Sequence, residues 1–161
     1  MYQHKIIKTL KLMKLSIVIP VYNTQDYLRA CLDSCLQQEG VKLNEDYEIL
    51  CLNDGSKDHS LSILREYESS NGIRVVDKLN TGVSDTRNIG LQESKGKFIW
   101  YVDSDDYIAV NAVKPIIDAI TNMTEDCLQL NYDYVSDGSL NKIPPPPDAP
   151  FRNKRTMAWW T

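Results

Sequence analysis

Three carboxylates crowd into four positions of the stretch YVDSDDY, residues 101–107: Asp103, Asp105 and Asp106. They follow directly on the apolar run Phe98-Ile99-Trp100-Tyr101-Val102. Like charges this close repel one another, and burying them unpaired is very costly. The spacing asks for a cation. Hard oxygen ligands suit Mg²⁺ or Mn²⁺, and Mg²⁺ is usually held by one or two carboxylates while substrate phosphates and waters complete its shell. The plainer alternative is a turn leading into a helix, where aspartates are solvated and favourable beside the N-terminus.

Three other stretches carry residues suited to binding. In NDGSKDHS, residues 53–60, Gly55 permits a sharp turn and Ser56 or Asp58 can cap a following helix. Asp54 could accept a hydrogen bond from a base edge such as a uracil imide N–H. In VYNTQDY, residues 21–27, Tyr22 could stack on a base or simply pack, with Asn23 or Thr24 as a cap. In NTGVSDTRNIG, residues 80–90, Gly82 and Gly90 allow close backbone approach, and Arg87 could reach an anion, a base or an ordinary surface partner. No G-x-x-x-x-G-K-[ST] loop occurs and no G-x-G-x-x-G follows the first strand, which disfavours P-loop chemistry and a dinucleotide site.

The elements that must hold these stretches alternate. Residues 15–22 (LSIVIPVY) are nearly continuously apolar, as in a strand covered on both faces. Residues 24–38 carry Tyr27, Leu28, Cys31, Leu32, Cys35 and Leu36 at helical spacing. A second strand is predicted at 47–52, a helix capped by Asp58 to about Ser69, a short strand at 73–76 and a helix over 82–94. A fourth strand spans 97–102, Asn111 caps a helix bearing Val113, Ile116, Ile117 and Ile120, and 127–135 reads as a fifth strand. Such alternation predicts an α/β fold with helices on both faces of a mostly parallel sheet. Ligands of such sheets sit outside the carboxyl ends of the strands, where Pro20–Asn23, Asn53–Ser56 and Asp103–Asp106 fall.

The net charge of -4 argues against a nucleic-acid partner, which usually meets a basic face. Cys31, Cys35, Cys51 and Cys127 form no C-x-x-C pair and have no histidine cluster, so they read as reduced, mostly buried thiols rather than zinc ligands. Residues 1–13 are basic and free of acids; they read as an extension, or as a peripheral contact to the inner face of a membrane. No stretch reaches the roughly 20 apolar residues of a membrane span, and the chain is expected in the cytoplasm. Residues 139–161 are proline-rich, and Trp159 and Trp160 suggest something to pack against.

Taken in order, SIVIPVYN, NDGSKDHS, NTGVSDTRNIG and GKFIWYVDSDDY resemble the N-terminal half of a family 2 glycosyltransferase with the GT-A fold, over about residues 14–135. The resemblance implies a Rossmann-like three-layer α/β/α domain at 14–138, with 139–161 opening a missing acceptor-binding half. It also implies a nucleotide-diphosphate sugar donor, often UDP-linked, an unidentified glycan or lipid-linked acceptor, and Mg²⁺ or Mn²⁺. On that basis Pro20, Val21, Tyr22 and Asn23 line the base and ribose pocket, Asp54 pairs with the base and Arg87 lies near the nucleotide. Asp103-Ser104-Asp105 is then the D-x-D element: Asp103 reaches the ribose or the metal, Ser104 lies against the donor, Asp105 binds the metal and Asp106 supports them. Such enzymes usually invert the anomeric centre and need a carboxylate base, which in this family lies in a downstream E-D element. No such element is read after Val135, Asn53 stands where the family often has a further Asp, and Asp137, Asp148 and Glu125 do not fit the base by context. The chain is therefore expected to bind donor better than it turns over, its catalytic base unassigned. Two other readings stand beside this one. One is a non-catalytic nucleotide-sugar-binding fragment. The other is a haloacid-dehalogenase-type phosphatase with Asp103 as nucleophile and Asp105 as acid/base.

Overall fold

The structure, a computed structural model, describes residues 12–130. Most of the basic extension, residues 131–135 of the expected fifth strand, and the proline-rich tail with Trp159 and Trp160 lie outside the described residues. Four strands, β1 (Leu15–Val21), β2 (Tyr47–Asp54), β3 (Arg74–Lys78) and β4 (Phe98–Tyr101), alternate with four helices, α1 (Gln25–Leu36), α2 (Ser60–Asn71), α3 (Val83–Glu93) and α4 (Val113–Asn122). The strands form one parallel sheet in the order β3-β2-β1-β4. No described helix is long and apolar enough to cross a membrane.

The residues of β1 and β2 alternate between two apolar layers, which is why both strands read as continuous hydrophobic runs. Ile17, Ile19, Val21, Ile49 and Cys51 pack against Leu28, Cys31, Leu32 and Cys35 of α1, Leu64 of α2, and Val113 and Ile117 of α4. Val18, Leu50 and Leu52 face the other way, with Ile89 of α3 against them. α3 comes close because Gly90 has no side chain: a Cβ there would lie 2.5 Å from Val18 Cγ1 and 3.3 Å from Leu52 Cδ1.

Several elements differ from their sequence reading. β2 and β3 each run to a polar end, because Asn53 Nδ2 donates to Asp77 Oδ1 at 2.7 Å and Lys78 pairs with Asp54 across the same register. Paired polar side chains let a strand continue where composition suggests a turn. Tyr27 was expected on the apolar face of α1 but is 50% exposed, since that face is set by Leu28, Cys31, Leu32 and Cys35. Asn111 does not cap α4; it sits at φ 63°, and its Oδ1 accepts the Glu39 amide. Residues 127–130 carry no strand, although Leu128 and Leu130 pack against the main core.

At the amino end of the sheet, Glu48 is 1% exposed yet fully engaged. Its Oε1 accepts from Ser16 Oγ at 2.7 Å and the Lys95 amide at 2.6 Å, and its Oε2 accepts from Arg74 at 2.8 Å. Burial alone would push this carboxyl up; the hydrogen bonds from Ser16, Arg74 and Lys95 more than reverse that and hold it below its ordinary value. A carboxyl depressed in the folded state stabilises above its unfolded pKa of about 4.3, and that contribution disappears as pH falls through the folded value.

Two expectations follow from this packing. The stability difference between the wild type and Glu48→Gln, read by thermal unfolding, should be largest at neutral pH and shrink steadily below about pH 4. A gap independent of pH would contradict a depressed Glu48. Gly90→Ala sets an overpacking cost of about 1–3 kcal/mol against a helix-propensity gain of about 1 kcal/mol. A net loss on the order of 1 kcal/mol should appear in urea unfolding, whereas a gain would show slack under α3.

Candidate active site

Because all four strands are parallel, their carboxyl ends share one rim. The chain steps from β1 to β2 to β3, then returns to place β4 on the other side of β1. In sheets of this kind the ligand crevice lies where the direction reverses, which here is between β1 and β4. Their pairing ends at Val18 and Tyr101, and Val102 N makes one further bond to Val18 O at 3.0 Å. Pro20 is the next residue of β1 on that side. It has no N–H to leave unsatisfied where β4 turns away, which explains a proline in a central strand.

The turn after β1 is laced to the turn after β2. Asn23 N donates to Ser56 Oγ at 3.1 Å, and Asn23 Oδ1 accepts the Lys57 amide at 2.7 Å. Thr24 N donates to Ser60 Oγ at 3.1 Å, while Asp58 accepts the amides of Gln25 and Ser60 at 3.0 and 2.9 Å. Asn23 adopts φ 53°, in the left-handed region that Asn tolerates better than most residues. Among the expected pocket residues, Tyr22 projects at 46% exposure, whereas Pro20 and Val21 are buried and Val21 belongs to the main core. Tyr22 and Asn23 thus offer side chains to the rim, while Pro20 and Val21 shape it from below.

Asp54 ends β2 and is 4% exposed. It accepts the amides of Thr81 at 2.9 Å and Gly82 at 3.0 Å and pairs with Lys78 Nζ. Burial raises its carboxyl, but Lys78 and the Thr81 and Gly82 amides bring it below the ordinary aspartate range. Lys78 also reaches Thr81 Oγ1, and Asp85 lies 3.8 Å from its Nζ. Asp54 therefore fixes the loop that launches α3, and through it the position of Arg87. Sequence reasoning missed Lys78. The available signal was register, since Lys78 is the direct parallel partner of Asp54.

Arg87 lies over the acidic loop. Its NH2 donates to Asp103 Oδ1 at 2.7 Å, its guanidinium carbon stands 6.0 Å from the Tyr101 ring centroid, and its carbonyl accepts the Tyr101 hydroxyl at 3.0 Å. Arg87 Nε is buried without a partner among the described residues. A buried donor left unmade costs about 1–3 kcal/mol. Ser104, expected to lie against the donor, is turned inward at 5% exposure and accepts a hydrogen bond from Thr24 Oγ1 at 3.0 Å. With Ser104 inward, Asp103 and Asp105 both face out.

The like charges are tolerated in three different ways. Asp103 is paired with Arg87. Asp105 is exposed and makes no hydrogen bond or ion pair with any described residue. Asp106 is raised above the ordinary aspartate range, first by burial and then by Asp105 and Asp103. No group of three His, Cys, Asp or Glu side chains gathers to hold a metal among the described residues. Two outward carboxylates, one of them unengaged, nevertheless suit a Mg²⁺ or Mn²⁺ ion that takes the rest of its shell from phosphates and water.

α1 and Gln38, just past its end, grip the acidic loop from behind. Cys31 Sγ donates to Asp103 O at 3.7 Å; its hydrogen bond with Cys35 and its burial raise the thiol, so it remains a donor. Ser34 Oγ accepts the Ile108 amide at 3.1 Å. Gln38 donates to Ala109 O at 3.1 Å and accepts the Val113 amide at 3.0 Å.

A family model described as glycosyl transferase family 2 matches residues 16–161. The poly(ribitol-phosphate) beta-glucosyltransferase of Bacillus spizizenii is 45% identical over 104 residues, which cover 63% of this chain and 16% of that protein. The solved structure of S. aureus TarS 1-349 in complex with UDP-GlcNAc superposes with a TM-score of 0.61 at 31% identity, over 66% of this chain and 30% of that one. GalNAc-T7 with UDP, GalNAc and Mn²⁺ superposes with a TM-score of 0.57 at 26% identity, over 66% of this chain and 20% of that one. The chain thus spans well under half the length of each of these relatives, and the matched GT-A glycosyltransferases share its α/β architecture.

The Asp54–Lys78 pair offers a test that needs no ligand. Its side chains are 5% and 12% exposed, so removing the cation strands a buried carboxylate. Lys78→Met should cost about 3 kcal/mol in urea unfolding, with Asp54→Asn in the same background restoring part of the loss. A cost below about 1 kcal/mol would show that the two amides suffice for Asp54.

Proposed function

The chain belongs to glycosyl transferase family 2, and from that premise we propose that its rim binds the nucleotide-diphosphate sugar donor of a sugar transfer to an acceptor hydroxyl. The donor is UDP-linked on this reading. The observation that carries it is the meeting of Arg87, Asp103 and the unengaged Asp105 at the crevice between β1 and β4. TarS, solved with UDP-GlcNAc, and the glucosyltransferase relative support it.

Each residue then has a task. Tyr22 stacks on the base, over a floor shaped by Pro20, Val21 and Asn23. Asp54 accepts the base imide through Oδ2, which already takes the Gly82 amide and keeps a second lone pair. Asp103 and Asp105 hold Mg²⁺ or Mn²⁺; GalNAc-T7, solved with Mn²⁺, supports this cofactor class. When bound, the ion supplies positive charge against the departing diphosphate. Arg87 moves from Asp103 to the nucleotide, freeing that carboxylate and giving its orphaned Nε an occasion to re-seat. Residues 14–138 make up the donor domain. Transfer is inverting, with a carboxylate base that no described residue supplies, and the product is a polysaccharide or cell-envelope glycan made at the cytoplasmic side of the membrane.

Calorimetry with UDP and Mn²⁺ checks this directly. The chain should bind UDP in the presence of Mn²⁺ and lose that binding in Asp105→Ala. Equal UDP affinity in excess chelator would sink the metal bridge.

A further inference from the structure

The rim's turns do not stand independently, and Thr24 is where they join. Its amide donates to Ser60 Oγ at 3.1 Å, tying the turn after β1 to the start of α2. Its carbonyl accepts the amides of Tyr27 and Leu28 at 3.0 and 2.9 Å, opening α1. Its hydroxyl donates to Ser104 Oγ at 3.0 Å, across 80 residues of sequence. One residue therefore contacts the segments that follow β1, β2 and β4. Its side chain makes no helix-capping bond, so the hydroxyl is not occupied in holding α1 together.

Ser104 decides how the acidic loop presents itself. The loop turns tightly, with Asp106 N donating to Asp103 O at 3.0 Å. Because Ser104 is held inward at 5% exposure, its neighbours on both sides point outward together. Were Ser104 free to rotate out, Asp103 and Asp105 would no longer both be held on the exposed side of the loop. The rest of the loop is already anchored to Cys31 and Ser34 of α1 and to Gln38 just past it. The Thr24–Ser104 contact is the anchor lying between the two carboxylates themselves.

We propose that Thr24 and Ser104 are positioning residues for the paired carboxylates, acting through the hydrogen bond between their hydroxyls and touching neither nucleotide nor metal. The inference rests on the donor reading above and deepens it. Groups that orient metal-binding carboxylates from behind typically matter about 10- to 100-fold in metal affinity.

The test uses the 161-residue chain and the variants Thr24→Val, Thr24→Ser, Ser104→Ala and Asp105→Ala. Affinity for UDP with Mn²⁺ is read by calorimetry, affinity for uridine by NMR titration of the tyrosine signals, and folding by the thermal midpoint. Thr24→Val should weaken UDP with Mn²⁺ about 10-fold, leave uridine affinity and the midpoint unchanged, and be rescued by Thr24→Ser. Ser104→Ala should match Thr24→Val. Wild-type affinity in Thr24→Val, equal losses of uridine and UDP, or a Thr24→Ser as weak as Thr24→Val would each overturn the positioning role. Asp105→Ala separates the two levels. If it abolishes UDP binding while Thr24→Val binds normally, only the positioning inference falls. If Asp105→Ala itself binds normally, the donor reading falls and this inference with it.

Discussion

The constraint on which this structure turns is electrostatic: three aspartates must coexist at the end of one strand. Coulomb repulsion between unit charges about 4 Å apart is near 1 kcal/mol in water and several-fold greater near a protein surface. The fold answers with one cation and many neutral contacts. Arg87 compensates Asp103, while the backbone between Asp103 and Val113 is held by side chains of α1 and the residues just past it. Neutral hydrogen bonds can fix a loop without cancelling its charge. The carboxylates thus keep their negative potential while losing their freedom, a state that suits the proposed encounter with a cation.

The same economy appears at Asp54. A buried carboxylate satisfied by Lys78 and two amides is a rigid strut between β2 and the loop before α3. Arg87, one turn into α3, inherits its place from that strut and from the close seating of Gly90 against Val18. The crevice is built from three loops: the one before α3 is tied to β2 through Asp54, the turn after β1 to the turn after β2, and the acidic loop to side chains of α1 and Gln38. Loops held in this way can carry binding groups with the accuracy of regular structure.

Much of this was legible in the sequence. The order of strands and helices followed from apolar runs and helical spacing, and the sheet's parallel sense from the alternation itself. The rim could be located because specialised residues clustered where strands end. What could not be read was the direction of individual side chains. The family resemblance set Ser104 against the donor, yet it is the buried member of the acidic loop. The resemblance put Val21 in the pocket lining, yet its side chain belongs to the core and can shape the rim only from below. Lys78 was passed over because an isolated lysine at a strand end carries no local signal; its importance is a matter of register with a strand 24 residues away. Asn111 resembles a helix cap in sequence, but its left-handed backbone and its bond to Glu39 give it a different task. Local pattern reports which element a residue joins, and long-range pairing decides which way it faces.

The buried Glu48 cluster lies at the opposite pole of the sheet from the crevice, joining Ser16, Arg74 and Lys95. That separation has an evolutionary consequence. A scaffold whose polar keystone sits far from its ligand edge can exchange residues along that edge with little threat to folding. Substitutions along that edge can therefore alter what it binds while the Glu48 cluster goes on supporting the fold.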